Sequence, residues 1–320
     1  MRAQDKILVL ADGSERTLMT AAHLKEYMPD KMTRRVVLFH VVASIPEELR
    51  DLEDDPSCTV LLEKLKLQAD ESQKRVLETL EQAKRNLIEI GGLPEELVEI
   101  KIQRVRHGIA RDIIEEARKG YVAVVLRRRG LGTLKNIILG SVAVKLLQSL
   151  TFIPVILVGP APGVKRVLLA VDASQNSLRA IDFVAATLAG HNDYEVCVFH
   201  GVVGLGAIDF DPVADAQRPP RPCEEQEDDC LDAFKCKVGR LVLSVRDRLM
   251  AAGIAADHVS IKVTSGATSR AGAIVSAAED GGFGTIVVGR RGLSRVESFF
   301  MGRVSHAVVH EGKQFSVWVV

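Results

Sequence analysis

Along this chain, short runs of β-branched and other apolar residues alternate with longer stretches whose apolar positions recur every three or four residues. The short runs predict strands and the longer stretches amphipathic helices. In the first half, strands are predicted near 6–11, 36–42, 98–104, 122–126 and 154–158, with helices near 15–28, 60–90, 109–119 and 141–149. In the second half, strands fall near 166–171, 194–202, 258–264, 285–289 and 315–320, with helices near 175–190, 229–252, 270–280 and 302–311. Such alternation implies a parallel sheet with right-handed crossovers. Ser14 and Ser174 stand where the first helix of each half needs an N-cap. Gly91-Gly92 and Gly253 follow the long second helices as stops. The stretch Asp209–Asp229, with Pro212, Pro219, Pro220 and Pro222 and then an acidic run, reads as a polar loop. Ser44–Ser57 is its counterpart in the first half.

The two halves are one unit written twice. Ile7-Leu-Val-Leu-Ala-Asp12 matches Val167-Leu-Leu-Ala-Val-Asp172, and Phe39-His40 matches Phe199-His200, both at an offset of 160. Gly130 and Gly140 match Gly292 and Gly302, and Ile153–Val158 matches Phe315–Val320, both at an offset of 162. A near-constant offset over four landmarks is the mark of a tandem repeat. Gly159-Pro-Ala-Pro-Gly163 is a short linker, so the domains are expected at 1–160 and 161–320. An apolar content of 47% with only 4% aromatic residues suits a buried parallel sheet under helices. The formal net charge is zero, which argues for neither a nucleic-acid nor a membrane partner. No apolar run is long enough to span a bilayer. Met1-Arg-Ala-Gln-Asp-Lys runs straight into Ile7–Ala11 without a signal-peptide layout, so the expected location is the cytoplasm. Cys223, Cys230 and Cys236 lack metal-ligand spacing and read as reduced thiols, with a regulatory disulfide as the alternative.

Candidate chemistry gathers at the predicted C-terminal strand ends, where open α/β sheets bind ligands. Asp12 and Asp172 end the first strand of each copy, and Val41 and Gly201 the second. After the fourth strand come Arg127-Arg-Arg-Gly130 and Gly289-Arg-Arg-Gly292. Nine residues later stand Gly140-Ser141-Val142 and Gly302-Arg303-Val304-Ser305. A glycine loop feeding a helix N-terminus offers backbone N–H groups to phosphate. The competing reading is that Gly289 and Gly292 merely permit positive φ. Arg128, Arg129, Arg290 and Arg291 read as a solvated loop face, with phosphate contact as the minority reading. His40 and His200 read as partly buried histidines bonded to neighbouring backbone.

On these motifs the chain resembles a tandem universal stress protein. The nucleotide-binding branch of that family has a first strand ending in V-D-G-S or similar and a second ending in an H-V pair. It has GxxG, nine residues, then G-[S/T] after the fourth. The resemblance spans nearly the whole chain twice. It implies two doubly wound, Rossmann-like α/β domains of five parallel strands each, related to the adenine nucleotide alpha-hydrolases, in the order 3-2-1-4-5. It further implies ATP binding, with Mg2+ only alongside ATP, and self-association through the last strand of each domain. Pairing of Ile153–Val158 and Phe315–Val320 is expected either between the two copies or between chains.

Both copies depart from the family pattern. Arg127 replaces the first glycine of copy one. Copy two has Ala173 after Asp172, Gly201 for the second-strand valine, and Arg303 after Gly302. Arg127 is expected to fill the ribose position; Arg303 either pairs with a phosphate or occupies its space. The leading reading is a stress-response regulatory protein that binds adenine nucleotide in one or both copies. The alternative is a nucleotide-free module acting through signalling proteins. An enzyme finds less support. The first strand lacks the Ser-Gly-Gly-x-Asp-Ser run of an adenylating PP-loop, and the third lacks a receiver's terminal Asp. Slow ATP hydrolysis is the most the pattern suggests.

Overall fold

A computed structural model describes residues 6–27, 34–42, 59–128, 139–160, 163–204, 206, 208–217, 227–292 and 301–320. The chain forms two compact units that part at Ile153/Pro154, with residues 26–30 and 130–139 counted in the second. In the first unit, β1 (Lys6–Leu10) lies between β2 (Arg35–Val42) and β4 (Tyr121–Arg127), and β3 (Val98–Arg104) lies outside β2. All these pairings are parallel, in the order 3-2-1-4. The helices of this half of the chain are α1 (Glu15–Ala22), α2 (Leu24–Tyr27, which straddles the division at Lys25/Glu26), α3 (Thr59–Glu89), α4 (Ile109–Ala117) and α5 (Ser141–Ser149).

The second unit repeats the plan. Its strands are β6 (Arg166–Ala170), β7 (Glu195–Val203), β8 (Val259–Ala267), β9 (Thr285–Val288) and β10 (Ser316–Val319). Their order is 8-7-6-9-10, the expected 3-2-1-4-5, and all four pairings are parallel. Its helices are α6 (Gln175–Leu188), α7 (Pro212–Gln217), α8 (Glu227–Ala251), α9 (Arg270–Asp280) and α10 (Arg303–Glu311). Registers agree as well: Leu8 pairs with Val37, and Leu168 with Cys197. A sixth strand, β5 (Val155–Val158), joins this unit antiparallel to β10, with Leu157 opposite Val317. The sheet is therefore mixed at that edge.

Central strands carry apolar side chains on both faces because helices cover both. Leu8, Val9, Val36–Phe39 and Ala123–Val125 are buried, as are Leu168, Leu169, Val196–Phe199 and Ile286–Val288. The predicted caps form: Ser14 Oγ accepts from Arg16 N, and Ser174 Oγ from Ser177 N. The predicted first helix is divided at His23 into α1 and α2. Ser265-Gly266 lie within β8.

The expectation of a loop over Asp209–Asp229 fails at α7 and at the start of α8. Pro212 opens α7, the one helical position where its missing N–H costs nothing. Asp211 Oδ1 accepts from Val213 N and Ala214 N, and Asp211 N donates to Asp215 Oδ2. Among the described residues no helix is long and apolar enough to cross a membrane.

Candidate functional site

In copy two the turn after β6 is held by Asp172. Its Oδ1 accepts from Ser174 N at 3.0 Å, and its own N donates to Ser177 Oγ at 3.1 Å. The glycine loop packs directly on this turn. A Cβ on Gly292 would stand 2.6 Å from Asp172 Oδ2, and one on Gly289 would stand 2.9 Å from the carbonyl carbon of Asn176. Neither glycine is among those with positive φ, so close approach, not backbone handedness, explains both. Gly302 N donates to Arg290 O at 2.8 Å, drawing the start of α10 onto the loop. Ser305 Oγ donates to Gly289 O at 2.6 Å and clamps α10 to the end of β9.

Above this floor lies a cavity of about 640 Å³. Its walls include Asp172, His200, Gly292, Gly302, Arg303, Val304 and Ser305, with Phe234, Lys237, Val238 and Leu241 from α8 and Arg270 from α9. A smaller pocket of about 90 Å³ shares the Asp172, Gly292 and Ser305 walls and reaches Gly201 and Gly289 at the strand ends. All eight copy-two residues expected at the site therefore converge. Arg270, Lys237 and the apolar face of α8 were missed; Arg270, just after the N-cap Ser269, was a legible signal for a helix-start cation.

The electrostatics favour an anion. Arg270 and Arg303 are the first residues of α9 and α10, where a cation opposes the helix dipole by about 0.3–1 kcal/mol each. Lys237 adds a third cation, and Asp172 is the only carboxylate among the described lining residues. A bound anion would offset the repulsion of both arginines. His200 is not free to act as a base through both nitrogens. Its Nδ1 lies 2.8 Å from Val171 O, an acceptor only, so Nδ1 carries the proton. His40 bonds Ala11 O at 2.7 Å in the same way.

Copy one encloses about 260 Å³, lined by Asp12, Val41, Gly140 and Val142 among others. Ser141 starts α5 but does not line this cavity, and Gly130 lies outside the described residues. Burial pushes the Asp12 carboxyl up. Hydrogen bonds from Ser14 and Thr17 and the nearby Arg16 charge outweigh it, leaving the group below its ordinary value. Arg127 lines the cavity wall.

The solvated face expected for the loop arginines is corrected at two positions. Arg128 and Arg290, equivalent by the repeat, are 6% and 5% exposed. Arg128 directly follows β4 and Arg290 follows β9 by one residue, and at Arg290 the backbone continues the sheet: Arg290 N donates to Val320 O. Burial pushes both guanidiniums down to about 10, helped at Arg290 by the Arg291 charge, and both remain cations at neutral pH. Arg129 lies outside the described residues. Cys230 is exposed and Cys236 buried, neither in a disulfide; Cys223 lies outside the described residues.

A universal stress protein from Archaeoglobus fulgidus DSM 4304 has the same fold, with a TM-score of 0.61 and 19% identity over 100% of this chain and 98% of its own. A putative universal stress protein from Pseudomonas aeruginosa UCBPP-PA14 aligns at 16% identity over 99% of this chain and 93% of its own, with a TM-score of 0.55. A universal stress protein in complex with cAMP covers 49% of this chain and 96% of its own at 21% identity, with a TM-score of 0.34. No curated protein matches the sequence. The family model for the universal stress protein family matches twice, over residues 4–159 and 163–320. The chain belongs to the universal stress protein family and carries two of its domains in tandem.

Proposed function

We propose that this chain binds adenine nucleotide, ATP foremost, in the copy-two cavity. On this reading it is a cytoplasmic stress-response regulator, and partner signalling proteins respond to the filled site. We take the repeats as domains 1–160 and 161–320. The observation that carries the reading is the set of three cations around a single cavity: Arg270, Arg303 and Lys237. A volume of about 640 Å³ falls within the ~300–1,000 Å³ usual for small-molecule sites.

The cations and the N-terminus of α10 meet the phosphates. Gly289, Gly292 and Gly302 keep the loop low enough for a ribose to lie over it. Gly201 and Asp172 border the base and sugar, and Val304 and Ser305 complete the wall. Mg2+ enters only with ATP and stays on its phosphates, with Asp172 as the nearest carboxylate of the lining. Calorimetric titration with ATP tests this. The wild-type chain takes up nucleotide. Gly292→Val takes up none, because its Cβ crowds Asp172 Oδ2. Arg303→Ala binds roughly tenfold more weakly or worse, as expected for losing a hydrogen bond to a charged group. Equal affinity in wild type and Gly292→Val ends the proposal.

A further inference from the structure

The copy-one cavity is lined differently from the copy-two cavity. The positions of Arg270 and Arg303 are held here by Ile109 and Ser141, the first residues of α4 and α5. The phosphate-side cations are thus missing from these two helix starts. A volume of about 260 Å³ falls below the ~300–1,000 Å³ usual for drug-sized ligands. Most walls are apolar, among them Phe39, Ile113, Leu126 and Leu146. The polar groups between them are largely engaged. Asp12 Oδ1 accepts from Ser14 and Thr17, Thr20 Oγ1 donates to Arg16 O, and His40 Nδ1 bonds Ala11 O.

Arg16 lends its charge to Asp12, which leaves Arg127 as the second cation of the lining. Arg127 stands where copy two has Gly289 and lines this cavity. Its Nη1 is buried with no hydrogen-bond partner among the described residues. A buried guanidinium nitrogen without an acceptor is costly, and a bound acceptor removes that cost.

We propose that the copy-one cavity is a separate site for a small, largely apolar molecule bearing one anionic group, which Arg127 receives. Either a carboxylate or a monophosphate ester meets that description, since both match the guanidinium fork. The site uses only residues of the first unit and stands whether or not copy two binds ATP.

Ligand-detected NMR titration of the intact chain with benzoate, phenyl phosphate and neutral benzyl alcohol tests it. At least one anion binds at millimolar concentration, and benzyl alcohol binds at least roughly tenfold more weakly. The stronger of the two anions identifies the headgroup. Arg127→Leu loses at least roughly tenfold in anion affinity, and saturating ATP does not displace the anion. Val142→Trp, which fills the cavity from α5, abolishes binding and serves if Arg127→Leu does not fold. Failure of both anions to bind overturns the proposal, as does full affinity in either variant or displacement by ATP.

Discussion

Glu116 shows what one buried carboxylate does in this fold. It is 1% exposed and accepts from Lys101 Nζ at 2.8 Å, Lys119 Nζ at 2.8 Å and Tyr121 OH at 2.7 Å. Burial pushes its pKa up, but these three donors outweigh it and bring the group to about 2, from an ordinary 4.5. A carboxylate depressed in the folded state stabilises above its unfolded pKa. That contribution is lost as pH falls from about 4.5 toward about 2. Glu116→Gln is therefore expected to lose about 2 kcal/mol at pH 7 and to show a flatter stability decline through this window in urea titrations. Copy two has Ala277 and Phe283 at the equivalent positions and needs no such network. An ion over the ring survives in both: Lys6 over Tyr121 and Arg166 over Phe283. Sequence motifs located the copy-two glycines and suggested two reasons for them; the backbone rules out positive φ, and the distance from Gly292 to Asp172 adds close packing as a reason the sequence did not offer. Arg128 and Arg290 were misread because a run of three arginines in copy one and two in copy two looks solvated until both side chains are seen to be buried.

Strands and long helices were legible because periodicity and glycine stops are local signals. The connector after β7 was not. Four prolines and an acidic run argue for a loop, yet Pro212 tolerates a helix start and Asp211 supplies the cap. The Ser265 hydroxyl bonds both Ile208 N and Ile208 O and keeps β8 extended to Ala267. The apolar last strands were expected to be covered, and β10 is covered by β5. Val317 is 0% exposed at that seam. Val317→Asp places an unpaired carboxylate in the ladder and is expected to cost about 4 kcal/mol or more. Thermal unfolding checks this; a melting temperature unchanged from wild type would show that the seam contributes nothing.

The duplication was the most legible property of the chain, because matched landmarks need no energetics to detect. The divergence of the two sites was only partly legible. Arg127 and Arg303 were visible as departures, but that Arg270 and Arg303 share one cavity while Ile109 lines the other required the folded positions of three helix starts. The pairing of β5 with β10 carries one more implication. An edge-to-edge contact between separate subunits weakens on dilution, whereas strands of one polypeptide meet at an effective concentration set by the chain between them. The seam thus behaves as an intramolecular reaction. Its unfolding midpoint in urea is expected to stay constant over a hundredfold range of protein concentration, about the range that fluorescence can follow. A midpoint that rises with concentration would mean that another molecule supplies the strand. If the midpoint holds, the chain covers the free side of β10 with its own β5, without an assembly step.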